Sequence, residues 1–321
     1  MTVRLKPLRP RTAALMAASL VSAVALAGCG SGGDPAADDV TSPAAGGPAA
    51  SAAGNEIPAQ EQDPAVAALV PKEFRDKGTV TIASDASYPP MEFMAADGQT
   101  VVGLDPDLGK ALGEVMGLKV SIVNSQFDAI IPGLSAGKFD IGMSGFNDTE
   151  ERRKILDFVD YYKGGSSFFG KSGGAVVKTL DDLCGHRVAV QKGTVQQDDV
   201  TAQEAKCKSA GQKSIELQVY PDQAAANLAL VSGRADVSIA DTPIAAYQVA
   251  QSGGQFALTG DEYGVVMHGI AAPKGSGLVK PLTAALDALM KNGAYQKILD
   301  KWGIGHTKLD APLVNGVEPQ Q

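Results

Sequence analysis

The sequence has no pair of cysteines spaced as a redox centre and no histidines spaced as metal ligands. Its three histidines, at positions 186, 268 and 306, are far apart along the chain, whereas protein zinc sites draw on closely spaced Cys and His. No glycine-rich stretch has the pattern of a phosphate-binding loop. We therefore expect no cofactor, no metal site and no catalytic histidine, and we interpret the histidines as structural or exposed.

Positive charge is also scarce. The chain has 28 Lys and Arg against 36 Asp and Glu, and four of the basic residues lie within the first 28, so the remainder has a net charge near −12. Such a chain is a poor partner for nucleic acid or anionic lipid. Beyond the N-terminus, no apolar stretch reaches the roughly 20 residues that a membrane-spanning helix needs.

The N-terminus has the pattern of an export signal. Four basic residues precede residues 13–27, which carry no charge, and the run ends in Leu26-Ala27-Gly28-Cys29, which resembles a lipoprotein processing site. Residues 1–28 are thus predicted to be a signal peptide, with Cys29 lipidated at the outer face of the cell membrane. The alternative is an ordinary signal peptide with an incidental cysteine. Residues 29–72, rich in Gly, Ala, Pro and Ser at their start, are predicted to form a flexible tether.

Two further cysteines, Cys184 and Cys207, are an even pair in an oxidising compartment. A disulfide between them would stabilise the fold by roughly 3 kcal/mol in the chain-entropy description. The alternative is a pair of buried free thiols.

The folded part alternates strand-like and helix-like segments. Residues 79–83, 119–123 and 140–143 have strand character, with helical segments between them, and a second unit of the same kind begins after Gly173 and Gly174. Short connections between alternating strands and helices predict an α/β fold with a largely parallel sheet.

In each unit, one predicted strand leads into a segment with a charged residue that could bind a ligand. Arg152 lies in a short predicted helix that begins near Asn147, where Asp148 and Glu151 have the spacing of a capping box. Asp241 follows the strand 236–240. Because open α/β sheets bind ligands at the carboxyl ends of their strands, we expect these two side chains to face one cleft. Arginine suits a carboxylate and aspartate suits an ammonium group, which together predict a site for a free amino acid. The alternatives are an exposed helix arginine and a helix-capping aspartate.

The whole folded part resembles the family 3 bacterial solute-binding proteins, the polar amino acid receptors of ABC importers. The matching stretches, in order, are residues 103–108, 127–134, 137–140, 144–152, 157–158, 188–194, 233–236 with Asp241, 295–298 and 301–302.

This resemblance implies a two-lobed, type II periplasmic-binding-protein fold with two hinge strands and a cleft between the lobes. It places lobe 1 at residues 73–170 and 268–305, lobe 2 at residues 171–267, a C-terminal tail at residues 306–321, and the hinges near residues 166–171 and 265–271. It also implies a monomeric, non-enzymatic receptor that closes on a free polar or basic L-amino acid and presents it to a membrane permease.

The resemblance assigns roles to individual residues. It implies that Arg152 binds the ligand carboxylate and Asp241 its ammonium group, with further contacts from the loop and from both lobes. The ligand-binding residues implied are Asp85, Tyr88, Phe127, Ser144, Gly145, Asn147, Arg152, Gln191, Thr194 and Asp241. Tyr88 and Phe127 resemble an aromatic pair that sandwiches the ligand side chain, with core packing as the alternative, and Asp85 mildly favours a basic ligand. The family usually has Ser or Thr at Asn147 and Ile or Leu at Asp148.

Two other functions fit the same sequence. Some relatives on this fold are dehydratases that act on cyclic acids through a cleft carboxylate, although such an enzyme would not need an ammonium clamp. A lipid-anchored sensory subunit is the third hypothesis. Fold alone does not decide among them.

Overall fold

The computed structural model describes residues 57–317 and residue 319. The predicted signal peptide, the lipidation site Cys29 and the first part of the predicted tether lie outside the described residues and stay predictions. In the part of the chain that is described, no helix combines the length and the apolar character required to cross a bilayer.

Thirteen strands and ten α-helices are found among the described residues. The strands are β1 (Thr79–Ser84), β2 (Ser87–Tyr88), β3 (Glu92–Met94), β4 (Val101–Val102), β5 (Lys119–Asn124), β6 (Ile141–Gly142), β7 (Leu156–Lys171), β8 (Arg187–Gln191), β9 (Glu216–Tyr220), β10 (Val237–Asp241), β11 (Phe256–Leu258), β12 (Tyr263–Pro273) and β13 (Leu313–Val314). The α-helices are α1 (Pro64–Leu69), α2 (Lys72–Lys77), α3 (Leu104–Met116), α4 (Phe127–Ser135), α5 (Glu150–Arg153), α6 (Val195–Ser209), α7 (Gln223–Val231), α8 (Thr242–Gln251), α9 (Val279–Lys291) and α10 (Ala294–Lys301).

The larger sheet runs through both lobes in the order β5-β1-β6-β12-β7-β10-β8-β9, and β11 and β13 also pair with β7. Strands β1, β5 and β6 are parallel, as are β8, β9 and β10. The long strands β7 and β12 are antiparallel to each other and join the two parallel groups. The α/β, two-lobed fold with two connecting strands is therefore confirmed. We call the group around β1 the first lobe and the group around β8 the second lobe.

The connecting strands change partners near their middle. Ser166 to Gly170 of β7 pair with β10 of the second lobe, and Ala271 of β12 pairs with β6 of the first. The β7–β12 register shifts between Tyr263 and Val266, next to Gly164. Residues 166–171 were predicted as a hinge, but most of them are held in the second-lobe sheet, because the strand crosses between the lobes a few residues earlier. The predicted lobe boundaries stay predictions.

Helix α1 occupies residues that the sequence analysis assigned to the tether. Asp63 caps it by accepting from the backbone N–H of Ala65, and Val66 and Val70 are buried in the core beside α3 and α9. Their apolar side chains recur at helical spacing, which gives this short segment a face to bury. The described part of the predicted tether therefore packs on the first lobe, including Ile57 and Gln60 before α1, and the extent of the tether stays a prediction.

The predicted C-terminal tail also has structure. Leu313 and Val314 pair with Val159 and Asp160 of β7, and the backbone N–H of Phe158 donates to Asn315 Oδ1 at 2.9 Å. This short strand lies on the first-lobe half of β7. It was not foreseen because a two-residue strand leaves no periodic pattern in a sequence.

Candidate functional site

The loop that follows β6 carries Ser144 to Thr149 and leads into the four-residue helix α5, which contains Arg152. Thr149, and not Asp148, is the N-cap, because its hydroxyl accepts from the Arg152 backbone N–H at 3.3 Å. Asp148 instead accepts two hydrogen bonds from the Arg153 guanidinium, at 2.6 and 2.8 Å. The predicted capping box of Asp148 and Glu151 is wrong, since a buried carboxylate next to an arginine forms a bidentate pair.

Arg152 points into the space between the lobes and is 9% exposed. Its guanidinium donates to the carbonyl of Asn147 at 3.0 Å and, across the cleft, to the carbonyl of Gly193 at 3.2 Å. It also lies over the rings of Phe127 and Phe146, 5.4 and 5.5 Å from their centroids. Burial lowers the pKa of this guanidinium, and the Asp241 carboxylate opposes that effect. The result is a fixed, buried cation at the first-lobe wall.

Asp241 ends β10 on the opposite wall. It occupies the N-cap position of α8, but its side chain makes no capping hydrogen bond. Its carboxylate instead accepts from Tyr88 Oη at 2.9 Å, Gln196 Nε2 at 2.8 Å and Asn147 Nδ2 at 3.3 Å. Burial raises the pKa of Asp241, but the neighbouring His268 and the hydrogen bonds outweigh burial and hold it below its ordinary value. The alternative of a helix-capping aspartate is therefore wrong.

Asp85 forms a second carboxylate of the cleft. Its Oδ2 accepts from the backbone N–H of Phe127 at 2.9 Å and from Gln191 Nε2, across the cleft, at 2.8 Å. Burial raises the pKa of Asp85, and its hydrogen bonds counteract part of that rise. Thr194 supports Gln191 by donating to its carbonyl at 2.8 Å while it caps α6.

The two aromatic residues predicted to sandwich the ligand side chain have different surroundings, and their shared role stays a prediction. Tyr88 lies in the cleft with its hydroxyl on Asp241, and burial together with that negative charge raises the pKa of Tyr88 well above its usual range, so the hydroxyl remains a donor. Phe127 stacks on Phe146 at 4.7 Å between ring centroids and belongs to a buried cluster of the first lobe. Phe127 thus combines core packing with a face that Arg152 covers.

Ser144 and Gly145 form the turn at the cleft floor. Ser144 Oγ accepts from the Asp85 backbone N–H at 3.0 Å. Gly145 has a φ of 55°, and a Cβ there would lie 3.3 Å from the Tyr88 ring and 3.7 Å from Asp241 Oδ2. The glycine therefore satisfies a left-handed backbone and leaves the space beside Asp241 open to other groups.

The two lobes touch directly through these residues. In addition to the hydrogen bonds already described, Lys192 of the second lobe pairs with Asp128 of the first at 2.8 Å, and the Gln223 backbone N–H donates to Ser87 at 3.2 Å. The lobes are therefore closed on each other. All ten predicted ligand-binding residues border this closed cleft or its floor, which makes them a single candidate site while their individual roles stay predictions.

The sequence matches the bacterial extracellular solute-binding proteins, family 3, over residues 80–306. The chain belongs to this family. The arginine-binding protein ArgT of Corynebacterium glutamicum is 37% identical over 253 residues, which cover 78% of this chain and 83% of that protein.

Solved structures give the same family. An ancestral arginine-binding protein bound to arginine is 34% identical with a TM-score of 0.65, and the match covers 70% of this chain and 98% of that one. The ancestral amino acid-binding protein AncCDT-1, a precursor of cyclohexadienyl dehydratase, is 34% identical with a TM-score of 0.64, covering 72% and 97%. This chain is thus similar both to binding proteins and to an ancestor of an enzyme.

Two residues beside Asp241 in this family 3 protein, His268 and Gln196, were not predicted from the sequence. His268 is fully buried, with Nε2 2.9 Å from Asn147 Nδ2 and 3.7 Å from Asp241 Oδ1, and it stacks on Tyr162. Gln196 donates both to Asp241 and to Ser166 Oγ, each at 2.8 Å. A lone histidine in a strand and a glutamine in the first turn of a helix give no pattern in the sequence, so spatial proximity alone identifies them.

The predicted disulfide is present, since Cys184 and Cys207 are bonded with a Cα–Cα distance of 5.7 Å. It joins the start of the second lobe to α6, away from the cleft. One cavity of 340 Å³ lies at the edge of the cleft, bordered by Asp85, Ser87 and Asp222. Another, of 560 Å³, lies on the hinge side near Lys163 and Trp302. No cluster of metal-binding side chains occurs within residues 57–317.

Proposed function

We propose that this protein captures a free basic L-amino acid, with arginine as the first candidate, between its two lobes and delivers it to an ABC permease. The observation that carries this proposal is the pairing of a buried cation and a buried carboxylate on opposite walls of one cleft. Asn147 lies between them, with its carbonyl on Arg152 and its amide on Asp241. A carboxylate group suits the first and an ammonium group the second.

The charges of the cleft support a basic ligand. Of the buried site residues described above, Arg152 is positive, whereas Asp85 and Asp241 are negative. The carboxylate and ammonium groups of any amino acid would pair with Arg152 and Asp241, respectively. Asp85 then remains available to pair with a positively charged side chain. A buried carboxylate without a counter-charge is costly, so a cationic side chain gains affinity there over a neutral one. The names of the arginine-binding relatives agree with this choice.

We propose that the ligand binds first to the open first lobe through Arg152 and Tyr88, and that closure then brings Asp241, Gln191 and Thr194 onto it. The contacts that now join the lobes directly, such as Gln191 to Asp85, would be exchanged for contacts to the ligand. Binding energy from the ligand therefore has to exceed that of the lobe-to-lobe contacts it replaces.

We also propose that Cys29 anchors the protein in lipid at the outer membrane face and that the receptor works as a monomer. The predicted lobe boundaries, residues 73–170 with 268–305 and residues 171–267, form part of this proposal. An anchor of this kind keeps the receptor near its permease.

The experiment that tests this function is a thermal-shift screen of the chain from Gly30 onward against the twenty amino acids, ornithine and citrulline. A ligand that binds the native state raises the melting temperature by mass action. We expect the largest shift with arginine or another basic amino acid. Arg152→Ala and Asp241→Asn should each weaken binding by on the order of 2–4 kcal/mol, whereas Arg234→Ala, an arginine outside the cleft, should not. No shift with any amino acid would refute the proposal.

The basic preference has its own test. Asp85→Asn keeps the shape of the side chain and removes its charge. Its single oxygen can still accept from Phe127 and Gln191, while the weaker hydrogen bond from the Ser87 N–H at 3.2 Å is lost. We expect arginine affinity, measured by calorimetry, to fall by about tenfold or more while glutamine affinity changes little. An equal loss for arginine and glutamine would show that Asp85 does not select charge.

The similarity to AncCDT-1 keeps a second function in view, an exported dehydratase acting on a cyclic acid. Incubation of the protein with cyclic hydroxy acids, followed by ultraviolet absorbance for a newly formed double bond, would reveal such activity. Turnover that is lost in Asp85→Asn would move the enzyme ahead of the receptor.

A further inference from the structure

Two acidic residues lie buried beneath the cleft, and neither is among the residues proposed to contact the ligand. Glu92 comes from β3 and is 0% exposed, and Asp105 comes from the first turn of α3 and is 1% exposed. The backbone fixes them next to each other, because the N–H of Asp105 donates to the carbonyl of Met91 at 3.0 Å. Burial of a charged carboxylate costs free energy, so two adjacent buried carboxyls are expected to make hydrogen bonds that offset this cost.

Both carboxyls hold the turn that forms the cleft floor. Ser144 Oγ donates to Glu92 Oε1 at 2.6 Å, and the backbone N–H of Gly145 donates to Asp105 Oδ2 at 3.1 Å. Tyr161 Oη donates to the other oxygen of Asp105 at 2.5 Å. The far side of the same turn borders the ligand site through Asp85 and Asp241. Only the turn of Ser144 and Gly145 thus separates the acidic pair from the cleft.

The charges of the pair differ. Burial, together with the charge of Asp105, raises the pKa of Glu92 well above its usual range. Burial raises the pKa of Asp105 to about 6, against the hydrogen bonds from Tyr161 and Gly145. Of the two carboxyls, Glu92 is therefore the one favoured to carry a proton and Asp105 the one favoured to ionise. Glu92 Oε2 has no hydrogen-bond partner among the described residues, and it is the oxygen free to carry the proton because Oε1 accepts from Ser144.

We propose that Glu92 and Asp105 are positioning residues of the amino acid site, a buried pair holding one proton that fixes the turn at Ser144 and Gly145. The neutral Glu92 accepts from Ser144 and so orients the hydroxyl that receives the Asp85 N–H. The ionised Asp105 accepts from two donors at once, which a neutral side chain cannot match. This proposal rests on the proposed function of the cleft.

Other titratable side chains face the pair from several elements. They are Asp85 after β1, Tyr88 from β2, Tyr161 and Tyr162 from β7, Asp241 from the second lobe and His268 from β12. A change of pH alters several of them together. The test therefore uses substitutions of matched shape at one fixed pH.

The protonation state is tested first without ligand, on the chain from Gly30 onward at pH 7.5. The infrared difference spectrum of wild type minus Glu92→Gln should contain the carbonyl stretch of a protonated carboxylic acid. Burial also raises the pKa of Asp160 to about 7, but this residue is present in both proteins and its contribution cancels. A difference spectrum with only carboxylate bands would overturn the one-proton pair. Because no ligand is used, this result stands apart from the proposed function.

The positioning role is tested by arginine affinity at the same pH. Glu92→Gln retains a neutral acceptor for Ser144 and should bind arginine within about threefold of wild type. Asp105→Asn can accept from only one of its two donors and should bind about tenfold or more weakly. An equal loss in both variants, or unchanged affinity in Asp105→Asn with only a lower melting temperature, would overturn the role. If wild type itself bound no amino acid, the proposed function would fail while the infrared result remained interpretable.

Discussion

Asn147 shows how one side chain can join the two charges of a binding site. Its backbone carbonyl accepts from Arg152, and its amide donates to Asp241 and lies beside His268. The family pattern predicts a hydroxyl residue here. The Asn147 amide has two N–H donors and reaches further from the backbone than a Ser or Thr hydroxyl, so it can donate to Asp241 on the opposite lobe.

The ionisation of the buried Asp160 carboxyl lowers the stability of the fold by an amount that can be measured. It is fully buried in β7 and accepts from the Gly316 N–H at 2.9 Å. Burial, with the nearby charge of Asp148, raises the pKa of Asp160 to about 7. The unfolded chain releases this proton near pH 4. Between about pH 4 and pH 7 the folded state therefore binds more protons, and the free energy of unfolding contributed by Asp160 falls as pH rises.

We expect Asp160→Asn to increase the free energy of unfolding at pH 7.5 by about 1–4 kcal/mol and to have little effect at pH 4. The amide can still accept from Gly316 and presents no second negative charge to Asp148. Denaturant unfolding at several pH values would measure this, with the exposed Asp287→Asn as the control. A destabilised variant at pH 7.5 would show that the ionised form is the one the fold requires.

The residues of the site were predictable to the extent that the family resemblance names positions. Arg152 and Asp241 do face each other at strand ends, as expected from the sheet alone. The capping assignment of Asp148 failed because the spacing of a capping box says nothing about the competing Arg153. His268 and Gln196 reach Asp241 from other elements, and such contacts depend on the tertiary fold.

At the scale of elements, strand β13 is the least expected part of the chain. It fastens the first-lobe half of β7 through Val159 and Asp160, and Asn315 adds hydrogen bonds to Phe158 and Asp157. It therefore braces the strand that also carries Tyr161 beneath the cleft. A short terminal strand of this kind depends entirely on its partner for stability.

Removal of residues 313–321 should lower the free energy of unfolding by about 1–3 kcal/mol, since several backbone groups of β7 lose their partners. Hydrogen exchange, followed by mass spectrometry, should become faster in residues 157–160. A truncation that removes only residues 318–321 retains β13 and serves as the control. Identical exchange in the two truncated proteins would mean that β13 does not brace β7.

The main elements of the fold were readable from alternating patterns and their caps. Asp222, for example, caps α7 by accepting from the Ala225 N–H at 2.7 Å. The sequence missed α1 and β13 because both are short and lie in regions whose composition suggests loops. Their apolar residues become informative only once the core that receives them is known.

At the scale of the whole molecule, the ion pair of Lys192 and Asp128 joins the two lobes across the cleft. Their side chains are 60% and 26% exposed, and the pair of Lys208 and Glu204, within α6, has nearly the same exposures, 60% and 25%. The two pairs thus differ mainly in whether they cross the cleft. This similarity provides a matched control.

We expect Lys192→Ala to raise the ligand dissociation rate about two- to fivefold, because an exposed ion pair contributes roughly 0.2–1 kcal/mol to the closed state. Lys208→Ala should leave that rate unchanged. Stopped-flow measurements with arginine at low and high salt would compare the variants, and salt should reduce the effect of Lys192→Ala. Equal dissociation rates in the two variants would show that the Lys192–Asp128 ion pair does not stabilise the closed state.

The path of the chain also decides which lobe moves relative to its surroundings. Helix α1, near the start of the described residues, packs on α3 and α9, and β13, near their end, pairs with the first-lobe half of β7. The second lobe is therefore an insertion in the middle of the chain, reached only through the two connecting strands. Any support attached through either end of the body would hold the first lobe still, so the proposed closure would move the second lobe towards it.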